Sequence, residues 1–145
     1  MIKILCVGKI KEKFFREAID EYKKRLSKFT KLEIIEVTDN ESIEKEKELL
    51  LKHINEKDYI ITLEIEGKEL TSTELSKKIE NTLMINSNIT FIIGSSNGLH
   101  DDIKKLSNFK LSFSKMTFPH QLFRVILLEQ IYRAFKISNN ESYHK

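Results

Sequence analysis

Five short apolar runs alternate with charged segments along this chain, and that alternation decides the fold class. The runs are Ile2–Val7, Leu32–Val37, Tyr59–Ile65, Ile89–Ile93 and Lys110–Ser114. Each has the length and composition of a strand. Ile89–Ile93 is apolar almost throughout, as a central parallel strand is when helices cover both of its faces. The segments between the runs have helical spacing. In Lys11–Ser27, the residues Phe14, Phe15, Ala18, Ile19, Tyr22 and Leu26 share one face, with charges opposite. Asn40–Ile54 is helical, with Asn40 or Ser42 as N-cap and Leu49, Leu50, Leu51 and Ile54 as its apolar part. Thr71 or Ser72 caps a helix running to Leu83, and Thr71 and Glu74 have capping-box spacing. A short helix falls around Asp101–Leu106 and a last one over Gln121–Ile137. Strands alternating with helices predict an α/β domain with a mainly parallel sheet of five or six strands. No linker, repeat or low-complexity stretch divides residues 1–145, so one domain is expected.

Composition removes several function classes. Cys6 is the only cysteine and lies inside the first apolar run, which predicts a buried thiol and no disulfide. His53, His100, His120 and His144 are scattered, and no Cys/His spacing resembles a metal site. The start of the chain lacks a basic leader, Gly67 is expected to end the third strand, and no apolar run approaches membrane-spanning length. A cytoplasmic protein without membrane partners is expected. The net charge is +3; residues 1–110 carry 20 Lys and Arg against 20 Asp and Glu, so the excess falls in residues 111–145. That places a polyanionic partner near the terminal segment.

Two loops attract interest by position. Gly94–Leu99 follows the fourth strand and precedes a helix, a place suited to an anionic or nucleotide-like group. It matches neither the dinucleotide glycine fingerprint nor the P-loop, and Asn97-Gly98 also suits a plain turn with positive φ. The second loop lies within Leu111–Glu129, which holds the only proline. Pro119 cannot extend a strand and suits a first helical turn, so the stretch reads strand, loop, helix. Both loops then stand at carboxyl ends of strands, where such sheets bind ligands. The last helix is apolar nearly all round, from Leu122 to Ile137, which requires cover on two sides; a two-fold dimer supplies the second, and a central core helix in a monomer is the alternative. Glu129 and Arg133 are four apart and suited to pair. The tail ends in Tyr143-His144-Lys145, which frays unless something docks it.

Taken together, several stretches resemble one family. They are Ile61–Ile65, Phe91–Leu99, Leu111–Gln121, the helix residues Arg124, Glu129 and Tyr132–Ala134, and the terminal Tyr143-His144. The whole chain is similar to the RlmH family, bacterial methyltransferases acting on N3 of a pseudouridine in 23S rRNA, of the SPOUT class. The resemblance implies a carboxy-terminal trefoil knot, a homodimer, S-adenosylmethionine as cofactor and 23S rRNA within the ribosome as substrate. Cofactor contacts carry over to Leu63, Gly94, Phe113, Ser114, Lys115, Met116, Thr117 and Phe118. His144 is the candidate base and Tyr143 its orienting or stacking partner; Arg124, Arg133 and Lys136 are candidates for RNA phosphates. No metal is implied. The family commonly has two glycines where this chain has Gly94-Ser95, and Asp39–Glu44 is short for it. The rival reading is a non-catalytic ribosome-binding dimer of the same fold. A nucleotide-dependent oxidoreductase is disfavoured by the missing fingerprint.

Overall fold

The strands that open the chain and follow its third helix form the middle of the sheet, since both are apolar on both faces. The computed structural model describes all 145 residues. Its elements are β1 (Ile2–Val7), α1 (Lys13–Leu26), β2 (Leu32–Val37), α2 (Ile43–Leu51), β3 (Tyr59–Glu69), α3 (Ser72–Ile85), β4 (Ile89–Ile93), α4 (Asp101–Lys104), β5 (Phe109–Ser112) and α5 (His120–Ser138). Five strands make one sheet in the order β2-β1-β4-β3-β5, and every pairing is parallel. All carboxyl ends therefore lie on one edge.

Alternation along the strands sorts side chains into two cores. Ile2, Ile4 and Cys6 of β1, with Phe91 and Ile93 of β4, pack against Ile19 and Leu26 of α1, Leu75 and Ile79 of α3, and Leu127, Leu128 and Ile131 of α5. Leu5, Val7 and Ile92 point the other way, against Leu50 of α2 and Ile103 of α4. The result is three layers, with α1, α3 and α5 on one face and α2 and α4 on the other. Cys6 is the buried free thiol expected; burial pushes its pKa up to about 12, so it stays protonated.

Local capping explains most helix starts. The Ser42 side chain accepts from Lys45 N, and Thr71 and Glu74 form a complete capping box. α2 thus starts at Ile43, three residues later than Asn40 suggested. Pro119 stands at the N-cap of α5, just before the first helical turn.

One expectation is corrected: β3 does not stop before Gly67. It runs through to Glu69, with a register shift against β5 between Leu63 and Lys68. A Cβ at Gly67 would lie 2.7 Å from the Lys110 carbonyl oxygen. Glycine there lets two backbones approach closely and does not break the strand. No helix is long and apolar enough to cross a membrane. Within the chain α5 is covered on one side, through Arg124, Leu127, Leu128, Ile131 and Ala134; Val125 and Ile126 stay half-buried and Leu122 is exposed.

Candidate active site

The carboxyl edge of the sheet holds a cavity of about 560 Å³, walled by the end of β3, the loop after β4, the loop after β5 and the first turn of α5. Each wall is fixed by a different local device. The loop after β4 is a tight turn in which Gly98 N donates to Ser95 O at 2.8 Å and Gly98 has φ +75°. Gly94 is required by the same turn: a Cβ there would lie 2.6 Å from the Gly98 carbonyl oxygen. The loop after β5 folds on its own serines. Met116 N donates to Ser114 Oγ at 3.0 Å, and Ser112 Oγ donates to Ser114 O at 3.2 Å. Aromatic contacts then pin this loop to α5. Phe113 meets Phe123 edge-on at 5.1 Å between ring centres, and Phe118 stacks on Phe123 at 5.9 Å.

Ser95 is the departure from the double glycine, and its hydroxyl turns towards α2. Ser95 Oγ donates to Glu46 Oε1 at 2.7 Å and accepts from Asn97 N at 3.1 Å. Glu46 is buried, 2% exposed, and its other oxygen accepts from Asn40 N at 2.9 Å. Asn97 Nδ2 donates to Asn40 O at 3.2 Å. These bonds clamp the short segment before α2 to the cavity loop. A buried carboxylate is tolerated because both oxygens are used.

Leu63, Gly94, Phe113, Ser114, Met116, Thr117 and Phe118 all line the cavity; Lys115 is exposed and does not. The four titratable side chains of the lining, Glu64, Glu66, Lys104 and His120, had no site role in the sequence reading. Thr62 Oγ1 donates to Glu64 Oε2 at 2.6 Å, and Lys104 Nζ lies 3.9 Å from the other Glu64 oxygen. For Glu64, Glu66 and His120 the signal is adjacency, since each lies beside a strand end or helix start already singled out; Lys104, at the end of α4, carries none.

The three cations expected to face RNA are all engaged within the chain. Arg124 is a correction: it lies inside, 1% exposed, paired with Glu36 Oε2 and donating to Gly8 O at 3.1 Å. It ties α5 to the ends of β1 and β2 and presents nothing to solvent. Arg133 pairs with Glu129 across one helical turn at 3.1 Å, and Lys136 lies 3.6 Å from Glu141.

The tail is docked and stands away from its own cavity. Tyr143 OH donates to Glu129 Oε1 at 2.7 Å, its ring packs edge-on against Tyr132, and the Arg133 guanidinium lies 4.8 Å from its ring centre. The hydrogen bond to Glu129, with burial, pushes the phenol up to about 12. Arg133 Nη1 lies 3.0 Å from His144 Nδ1. A guanidinium only donates, so this Nδ1 accepts and a neutral His144 carries its proton on Nε2. The docked imidazole has no free basic nitrogen. Its anchors Glu129 and Arg133 lie nine and thirteen residues beyond His120. At the helical rise that is roughly 14–20 Å from the cavity end of α5.

The family model described as "Predicted SPOUT methyltransferase" matches residues 1–144. A ribosomal RNA large subunit methyltransferase H from Clostridium botulinum (strain Okra / Type B1) is 57% identical over 157 residues, covering 99% of each chain. That alignment is longer than the 145-residue chain, so the relative carries residues that this chain lacks. Among solved structures, a probable methylase family protein from Haemophilus influenzae Rd KW20 aligns with a TM-score of 0.61 at 14% identity, over 99% of this chain and 70% of that one. A tRNA (m1G37) methyltransferase from Aquifex aeolicus aligns at 0.51 and 14%, over 91% of this chain and 69% of that one. At such identities the structural likeness speaks for the fold alone.

Proposed function

Because the chain belongs to the SPOUT methyltransferase family, we propose that it methylates N3 of a pseudouridine in 23S rRNA on the assembled ribosome, as a cytoplasmic homodimer using S-adenosylmethionine. The carboxy-terminal trefoil knot belongs to the same proposal. The observation that carries it is a coincidence of place: the strand-end loops that the rRNA methyltransferase resemblance assigns to the cofactor are walls of one cavity.

The residues present fit that cofactor. A cavity of about 560 Å³ is within the range of sites for ligands of its size. Leu63, Ile93, Leu99, Phe113 and Phe118 offer apolar walls to an adenine, and Glu64 and Glu66 suit a cationic ligand with ribose hydroxyls. Bound there, S-adenosylmethionine supplies a methyl group carried on a sulfonium. The chain's contribution is to hold the two partners in line and exclude water, which is worth roughly 7–11 kcal/mol.

The N3 proton must also leave, and His144 is the acceptor in this reading. It accepts at a ring nitrogen, so it first gives up Arg133. The tail docks on α5 well away from the cavity, at Glu129 and Arg133, so a two-fold pair of antiparallel α5 helices brings one tail towards the partner's cavity. Release of the tail also frees Nη1 of Arg133 for phosphate while Glu129 keeps the other two nitrogens, with Lys136 beside it.

Isothermal titration with S-adenosylmethionine, alongside single-turnover methylation of ribosomes lacking the modification, tests this. His144→Ala is expected to keep cofactor affinity and to lower the rate by about 10²–10⁴-fold. A truncation ending at Ser142 that keeps both would remove the tail from the reaction. A parent chain that binds ribosomes and no cofactor would favour the non-catalytic reading.

A further inference from the structure

The even balance of residues 1–110 hides a strong separation of charge. Residues 9–31, which span the loop after β1, α1 and the turn that follows, hold nine Lys and Arg against four Asp and Glu. Residues 32–69 hold five against twelve. α1 lies in the layer with α5, whereas α2 lies on the opposite face of the sheet. Around α2 itself, residues 38–58 hold seven Asp and Glu against four Lys, so folding sets the basic α1 segment and a mildly acidic α2 segment on opposite faces of the sheet.

On the basic side, Lys23, Lys24, Lys28 and Lys31 gather at the carboxyl end of α1. All four are exposed and none forms an ion pair. Elsewhere on α1, Lys13 and Arg25 are matched by Glu17 and Glu21 at 3.8 and 2.8 Å. The unmatched lysines surround half-buried aromatic rings. Tyr132 lies 6.2 Å from both Tyr22 and Phe29, and Phe29 stacks on Phe135 at 5.9 Å. Lys28 Nζ stands 5.5 Å from the Phe29 ring centre, and the Arg25 guanidinium 5.7 Å from that of Tyr132. Tyr143 of the tail closes the same cluster against Tyr132.

Resting on the rRNA reading above, we infer that this end of the molecule, the carboxyl end of α1 with Lys23, Lys24, Lys28 and Lys31 around the Tyr22–Phe29–Tyr132 cluster, receives the sugar-phosphate backbone of the RNA substrate. Three features favour RNA over an acidic protein. A chain of uniform negative charge rewards a field of one sign, and the acidic layer behind turns it to this side. Lysines without ion-pair partners act as mobile point charges for phosphates and break no salt bridge on binding. The aromatic edges among them suit unpaired bases, which stack on such rings. The surface also adjoins the docked tail, so RNA arrives where His144 and Arg133 start from.

The test removes three charges from each side in turn. One variant combines Lys23→Ala, Lys28→Ala and Lys31→Ala. The control combines Lys45→Ala, Lys52→Ala and Lys57→Ala, exposed lysines of the acidic side. Binding to unmodified ribosomes and to a single-stranded RNA oligonucleotide is measured across salt concentrations, with cofactor titration in parallel. The first variant is expected to lower the slope of log affinity against log salt by about 2 and to weaken RNA binding about tenfold or more at low salt. The control is expected to leave the slope unchanged, and both are expected to keep cofactor affinity. Equal slopes for the two variants, or a first variant that loses a ribosomal protein and not RNA, would overturn the assignment. The slope is read without methyl transfer. A chain that binds RNA through this surface but transfers no methyl would sink the functional reading alone, and one that transfers methyl with an unchanged slope would sink the surface alone.

Discussion

At the scale of single residues, two positions in one loop divide the labour. Gly94 is glycine because the turn closes on itself, with the Gly98 carbonyl where a Cβ would go. Ser95 holds that turn from behind, through the buried carboxylate of Glu46. Ser95→Ala leaves Glu46 without one donor and Asn97 N without its acceptor, a cost of about 1–3 kcal/mol. It is expected to raise the dissociation constant for S-adenosylmethionine several-fold, about threefold to tenfold by the same bonds, with Ser95→Thr restoring most of the loss. Calorimetry with a thermal unfolding control checks it; equal affinity in Ser95→Ala would make the clamp purely structural. The place of this loop was legible in the sequence, since strand, glycine turn and helix follow one another. The clamp was not, because its partner lies 49 residues away on a helix where Glu44, Lys45 and Glu48 are exposed. Arg124 misled for a related reason. Its charge reads as a surface group, yet it sits between Phe123 and Val125 in an apolar run, and the cation lies inward to meet Glu36.

At the scale of elements, β3 and α5 carry most of what was unexpected. Gly67 reads as a stop when strands are judged one at a time. Only the neighbouring strand reveals that the missing side chain makes room for the Lys110 backbone. In the sequence α5 reads as too apolar for one face, because its eleven apolar residues spread over more than one side of the helix. Its two apolar sides now differ. Leu127 is fully buried within the chain, whereas Ile126 is half-buried at its outer side. Leu127→Asp is therefore expected to unfold the protein, since an unpaired charge in a dry core costs several kcal/mol. Ile126→Asp is expected to leave the fold intact and to abolish self-association. Sedimentation velocity with far-UV circular dichroism separates the two outcomes. A parent protein that is monomeric at micromolar concentration would remove the dimer and the exchange of tails that rests on it.

At the scale of the whole molecule, the parallel sheet collects the cavity loops on one edge, while the tail turns back onto Glu129, Tyr132 and Arg133 of α5, away from that edge. Sequence alone could place each loop on its strand but not the tail, whose docking depends on Glu129, Tyr132 and Arg133 facing the same way on α5. The docked His144 is parked on Arg133, so the resting chain holds its candidate base away from its own cavity. The account then stands on one chemical event, methyl transfer to a defined atom. Ribosomes lacking the modification are incubated with the parent protein and S-adenosylmethionine labelled in the methyl group, and the digested 23S rRNA is examined by mass spectrometry and by primer extension. The account predicts a single labelled methyl group on N3 of a pseudouridine, with a primer-extension stop at that nucleotide because N3 lies on its pairing edge. Label on another base or atom, or no label from a protein that binds both cofactor and ribosome, would contradict it.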